Sequence, residues 1–150
     1  MVHKQQDFYH ISLKLLLKNK RGEILVLKAL DDGNLAGYYD VPGGRIDTDE
    51  FTTPFEDILR REVKEEIGSP EVYINLNPVA VSRGIISASK MHGGRGIHIF
   101  YVFFEAEYKG GDIVISDEHT DHKWINLKEI DLKDYFTAGI LEGVEMYMRT

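Results

Sequence analysis

Cysteine is absent from this 150-residue sequence. Its absence excludes disulfides, thiolate nucleophiles and cysteine-based zinc sites, and leaves oxygen and imidazole as the side-chain metal ligands of note. No apolar run approaches the roughly 18 residues of a membrane-spanning helix, and Met1 to Asp7 is polar where a signal peptide would be apolar. A soluble, cytoplasmic protein with no membrane partner is therefore expected. Positive charge is also scarce: 18 Lys and Arg face 25 Asp and Glu, for a net charge of −7. That balance disfavours broad binding to nucleic-acid polymers. It still admits a phosphate-bearing small molecule, provided a divalent cation stands between the two.

What is present is ordinary for a globular chain, with 43% apolar and 29% charged residues. The length suits one domain over 1–150, able to bury roughly 68–70% of its unfolded surface. Phe8 to Leu17 and Glu23 to Leu30 read as two strands joined at Asn19-Lys20-Arg21-Gly22, a hairpin. Asp31 to Gly37 is a loop and Tyr38 to Val41 a short extended piece, broken by Pro42-Gly43-Gly44. A helix is predicted over 54–67: Thr53 caps it, Pro54 suits its first position, Glu56 completes a Thr-x-x-Glu box and Gly68 stops it. Phe55, Ile58, Leu59, Val63 and Ile67 give that helix its apolar stripe.

Val72 to Ser82 and Ile97 to Tyr108 read as strands flanking a Gly-rich, mildly basic stretch with Arg83, Lys90, His92 and Arg95. A short strand lies around Trp124, and Asp134 to Arg149 has helical spacing through Phe136, Ile140, Leu141, Val144 and Met148. Strands before, between and after two helices imply an α/β or α+β sandwich with a mixed central sheet.

The informative stretch is Arg61-Glu62-Val63-Lys64-Glu65-Glu66-Ile67-Gly68. At about 100° per residue the three glutamates share an arc of roughly 100° on one helix face. Ile58 lies in the same arc one turn earlier, so the glutamates border the apolar stripe. The plain alternative is a solvated acidic face, where like-charge neighbours cost only about 0.2–0.5 kcal/mol, and short carboxylate motifs are weak evidence. Carboxylates partly withdrawn from water repel by on the order of 3 kcal/mol per pair at an effective dielectric near 20. They then call for a compensating cation, and a hard divalent ion such as Mg²⁺ takes oxygen ligands.

Gly43-Gly44, a following acid and the Arg61 to Gly68 run together resemble the Nudix box, G-x₅-E-x₇-R-E-U-x-E-E-x-G-U with U aliphatic. The second half matches position by position up to Gly68, while Ser69 stands at the final aliphatic position. Gly44 and Glu50 satisfy the first half, but ten residues rather than seven separate Glu50 from Arg61, an excess around Phe51-Thr52-Thr53. Tyr39 to Gly44 is similar to the family's strand entering the box, and Trp124 to Ile130 to its late strand and short helix. The box covers under a quarter of the chain.

The resemblance implies an α/β/α sandwich and a metal-dependent hydrolase that cuts a diphosphate linkage in a nucleoside diphosphate bearing another moiety. A nucleotide-binding sensor on the same scaffold, without turnover, is the alternative. It implies Mg²⁺, or Mn²⁺ in its place, held by Glu62, Glu65, Glu66 and the Gly44 carbonyl, with Arg61 as their salt-bridged organiser. Glu118 falls where several family members carry a further metal-binding or base glutamate, and Glu66 or Glu118 would take the proton of the attacking water. Arg45, Arg83 and Arg95 are candidate phosphate contacts, since Arg matches phosphate by paired donors. Tyr39 could stack on a base or pack in the core. His119 and His122, three residues apart in a turn, read as ordinary loop histidines, and a homodimer is the default for a small soluble enzyme.

Overall fold

A computed structural model describes residues 3–87 and 96–150. Among these residues seven strands form one mixed sheet: β1 Tyr9–Lys18, β2 Ile24–Ala29, β3 Tyr39–Asp40, β4 Gly43–Arg45, β5 Glu71–Ile86, β6 Ile97–Gly110 and β7 His119–Ile125. The path runs β3-β2-β1-β6-β5, with β4 on β1 and β7 on β2. β1 lies parallel to β6 from Tyr9↔His98 to Lys18↔Glu107, and the other pairings are antiparallel.

The expected hairpin is confined to its turn, where β1 and β2 meet at Lys18↔Ile24. Beyond that point the strands splay, β1 toward β4 and β2 toward β7 and β3. Both strands are apolar on each face and so find partners on two sides, as interior strands do. Alternation then sorts their side chains. Leu13, Leu15 and Leu17 join Leu25, Leu27 and Phe104 in one core, and Leu16 joins Ile24, Val26 and Phe103 in the other.

A helix covers each core. α1, Phe55–Ile67, seals the first through Ile58, Leu59, Val63 and Ile67. Its cap differs from expectation: the boundary residue is Pro54, whose carbonyl accepts from Asp57 and Ile58, and Thr53 makes no cap bond. Glu56 pairs instead with Arg60 at 3.3 Å. The capping acid is Glu50, which closes a 3₁₀ turn over Thr48–Glu50 by accepting from the Asp47 N–H at 2.9 Å. Gly68 ends the helix at φ 87°, a region that favours glycine.

The C-terminal helix is two pieces, α2 Leu132–Tyr135 and α3 Ala138–Met148. Phe136 is extended between them because it turns inward to the second core. Gly139 and Gly143, one turn apart, let α3 lie directly on Tyr101 and Phe103 of β6. The result is the expected sandwich of helices on a mixed sheet. No helix among the described residues is long and apolar enough to cross a membrane.

Candidate active site

Helical phase decides which acids of α1 point inward. Glu62 and Glu66 are buried at 7% and 5% exposure, one turn apart beside the apolar stripe, whereas Glu65 lies on the solvent side with its side chain 57% exposed. Burial pushes the Glu66 carboxyl up to about 9, with the Asp40, Glu62 and Glu118 charges adding to it and Lys14 opposing. Burial likewise raises Glu62, against the pull of Arg61.

Arg61 gathers the acids. Its Nε and Nη2 make a paired fork on Glu50 at 2.8 and 2.7 Å, and its Nη1 reaches Glu62 at 2.9 Å and Glu65 at 3.2 Å. The fork holds the Glu50 carboxyl below its ordinary value, helped by the Asp47 N–H. Glu50 thus reaches Arg61 in spite of the three extra residues, which are taken up in a surface turn with Phe51 93% exposed. As placed, the acids do not converge: among the described residues no three acidic or imidazole side chains stand close enough to hold one ion. Arg61 lies between Glu62 and Glu65.

β4 forms the opposite wall. A Cβ on Gly44 would run into the Glu62 carboxylate, so glycine is what lets strand and acid meet. Behind this wall Lys14, 6% exposed, is paired through Nζ with Asp40 at 3.0 Å. Burial works against its charge, but Asp40 and Glu66 outweigh that and leave the ammonium above its usual value.

Two adjoining cavities result. One, of about 490 Å³, is lined by Glu62, Glu65, Glu66, Arg61, Asp47 and Gly43. The other, of about 540 Å³, lies on the α3 side of the sheet between Lys14, Leu35, Ile99, Tyr101 and Ile140. Asp40, Gly44, Arg45, Glu118 and His119 border both.

Of the residues singled out by sequence, the fold brings Gly44, Arg45, Arg61, Glu62, Glu65, Glu66 and Glu118 to this cleft. It leaves two aside. Tyr39 faces Tyr135 at a ring separation of 5.3 Å and lies under Lys123, because alternation on β3 sends its neighbour Asp40 inward instead. Arg83 is exposed on β5 and lines neither cavity. Lys90, His92 and Arg95 lie outside the described residues.

Sequence reasoning missed Lys14, Asp40 and His119. Lys14 carried a signal: a lysine inside an apolar strand run needs a buried partner. His119 opens β7 rather than sitting in a loop, and burial lowers its imidazole below the usual range. Its Nδ1 is shut off from solvent and has no hydrogen-bond partner.

Comparison with known proteins places this fold and its acid-lined cleft. The profile of the NUDIX domain matches residues 8–144. The nucleoside triphosphatase NudI of Salmonella schwarzengrund is 30% identical over 125 residues, covering 82% of this chain and 86% of that protein. The MutT protein of Methanosarcina mazei shares the fold at TM-score 0.71 and 22% identity, over 97% of this chain and 95% of that one. The NUDIX domain of Shewanella oneidensis NrtR, solved with ADP ribose, shares it at TM-score 0.64 and 16% identity, over 96% and 87% of the chains. The chain belongs to the NUDIX domain family, and it is an enzyme of the pyrophosphohydrolase type.

Proposed function

We propose that the chain hydrolyses a diphosphate linkage within a nucleoside diphosphate joined to another group, by in-line attack of water on phosphorus. The observation that carries this reading is the pair of joined cavities, one acid-lined and one of mixed apolar and polar lining, with a common polar border. They suit the two unlike halves of a nucleotide. Support also comes from relatives, one a nucleoside triphosphatase and one bound to ADP ribose.

The donor set fits a hard divalent ion. It is all oxygen, Gly44 leaves room for Glu62 against the β4 backbone, and Glu66 is an acid whose burial disfavours its charge unless a cation joins it. Glu62, Glu65, Glu66, Glu118 and the Gly44 carbonyl would hold Mg²⁺, or Mn²⁺ in its place. The ion supplies a lowered water pKa and neutralises charge on the transferring and leaving oxygens. Arg61 positions Glu62 and Glu65, which must turn from its Nη1 to serve as ligands; Glu65, half exposed, has the room. Glu66 or Glu118 accepts the proton of the attacking water. Arg45, on the border of both cavities, is the phosphate contact.

The test is a panel of ADP-ribose, nucleotide sugars, dinucleoside polyphosphates and oxidised nucleoside triphosphates, with products separated by chromatography. With Mg²⁺ at least one compound should yield a nucleoside monophosphate and a second phosphate-bearing fragment, and chelation should abolish this. Binding without product would support a sensor instead, and neither binding nor cleavage would reject the reading.

A further inference from the structure

A third hollow, of about 960 Å³, opens on the α1 side of the sheet, at the N-terminal end of that helix. Ile11 and Ile46, packed against the α1 core, stand in its wall with Tyr9, Phe51 and Phe55. Phe51 is 93% exposed and Phe55 half exposed. The hollow meets the acid-lined cavity at Arg45 and Asp47, which border both. The Glu50–Arg61 fork stands between the two, with Glu50 lining the one and Arg61 the other.

A single exposed phenylalanine is ordinary, but aromatic rings gathered with isoleucines in one concavity mark a binding surface. Phe51 belongs to the excess residues between Glu50 and Arg61, so the longer loop adds apolar surface beside the cleft. The polar neighbours are largely engaged. Glu50 accepts from Arg61 and from the Asp47 N–H, Asp47 lies 3.7 Å from Arg61, and Arg45 Nη1 meets His10 Nδ1 at 3.2 Å. Thr48 and Asp49 are left, both exposed on the 3₁₀ turn. A sugar would find few free hydrogen-bond partners here, and an apolar group needs none. A substrate of the proposed kind has three parts in order: nucleoside, diphosphate and second group. The cavity on the α3 side and the acid-lined cavity serve the first two, and the third hollow continues from the acid-lined one along α1.

We infer that this hollow receives the second group of the substrate, that the group is an apolar alkyl or aryl moiety rather than a sugar, and that Phe51 sets the preference for it. The inference rests on the hydrolase reading above and names the substrate class.

The test uses the nucleoside diphosphate of the best panel compound, esterified at its β-phosphate with methyl, butyl, hexyl or glucosyl groups. Turnover is followed with Mg²⁺, and affinity is read by titration calorimetry on the α,β-methylene analogues, which resist cleavage between the phosphates. In the wild type affinity should rise about twofold to fourfold per methylene from methyl to hexyl, with kcat/KM following mainly through KM. Phe51→Ser should flatten the series and Phe51→Leu should keep part of it. A flat series in the wild type overturns the inference, as does tighter binding of the glucosyl than of the hexyl compound. So does a length dependence undiminished in Phe51→Ser. A flat series in a wild-type dimer that Phe51→Ser dissociates in sedimentation would give the hollow to a second copy of the chain instead. Length-dependent binding without cleavage of any nucleotide places the fault in the hydrolase reading, whereas cleavage with a flat series faults this inference alone.

Discussion

Arg61 occupies an unusual position for a cation beside a site proposed to bind another cation. It neutralises Glu62 and Glu65 while anchored by its paired fork to Glu50. Lysine cannot form that fork. Arg61→Lys is therefore expected to cut turnover by about 10- to 100-fold, as losses of outer-shell orientation do at metal sites, with the fold intact by circular dichroism. Glu65 is solvent-facing, so Glu65→Gln should leave the melting temperature nearly unchanged and lower kcat by more than about 100-fold. Near-full activity in that variant would remove Glu65 from the proposed ligand set. Glu66 supplies a pH test. Its carboxyl sits at about 9 in the fold against 4.5 as its ordinary value, so the folded protein keeps a proton that the unfolded chain releases. That contribution is complete below about pH 4.5 and is lost as pH rises toward about 9. Ion-free wild type should lose stability across this window in urea titrations, and Glu66→Gln should lose less; parallel curves would contradict the assigned burial.

At the scale of elements, the close approach of α3 to the sheet depends on two small residues. A Cβ on Gly143 would enter the Phe103 ring. Gly143→Ala should then cost about 1–3 kcal/mol, read as a lower urea midpoint at unchanged slope, as overpacked cores do. The strands and α1 were legible because alternation and helical spacing of Leu, Ile and Val report the core directly. The splaying of β1 from β2 was not, since strands apolar on both faces specify burial without naming partners. Nor was the break at Phe136: helical spacing ran through it, and the inward turn of one aromatic overrode that local pattern. Within the site, the acids of α1 were legible from spacing and the family resemblance. Asp40, Lys14 and His119 come together only because β3, β1 and β7 meet at one end of the sheet. That convergence is tertiary, and a one-residue alternation made Tyr39 rather than Asp40 stand out in the sequence.

For the whole molecule, a net charge of −7 and an acidic cleft oppose an anionic substrate unless cations intervene. In the proposed function the divalent ion is what makes an acidic protein a phosphate enzyme, so ion and nucleotide should bind with mutual support. Mg²⁺ should also raise the melting temperature, more strongly as pH rises and the Glu66 carboxyl ionises, because the ion must displace that proton to bind and an ion that binds only the folded state stabilises it. The most direct measurement is calorimetric titration of the folded protein with Mg²⁺ and Mn²⁺, with and without nucleotide, repeated on a variant carrying Glu62→Gln, Glu65→Gln and Glu66→Gln. Saturable uptake by the wild type that disappears in the triple variant is the predicted result. A wild-type protein that takes up neither ion, even with nucleotide present, would contradict it.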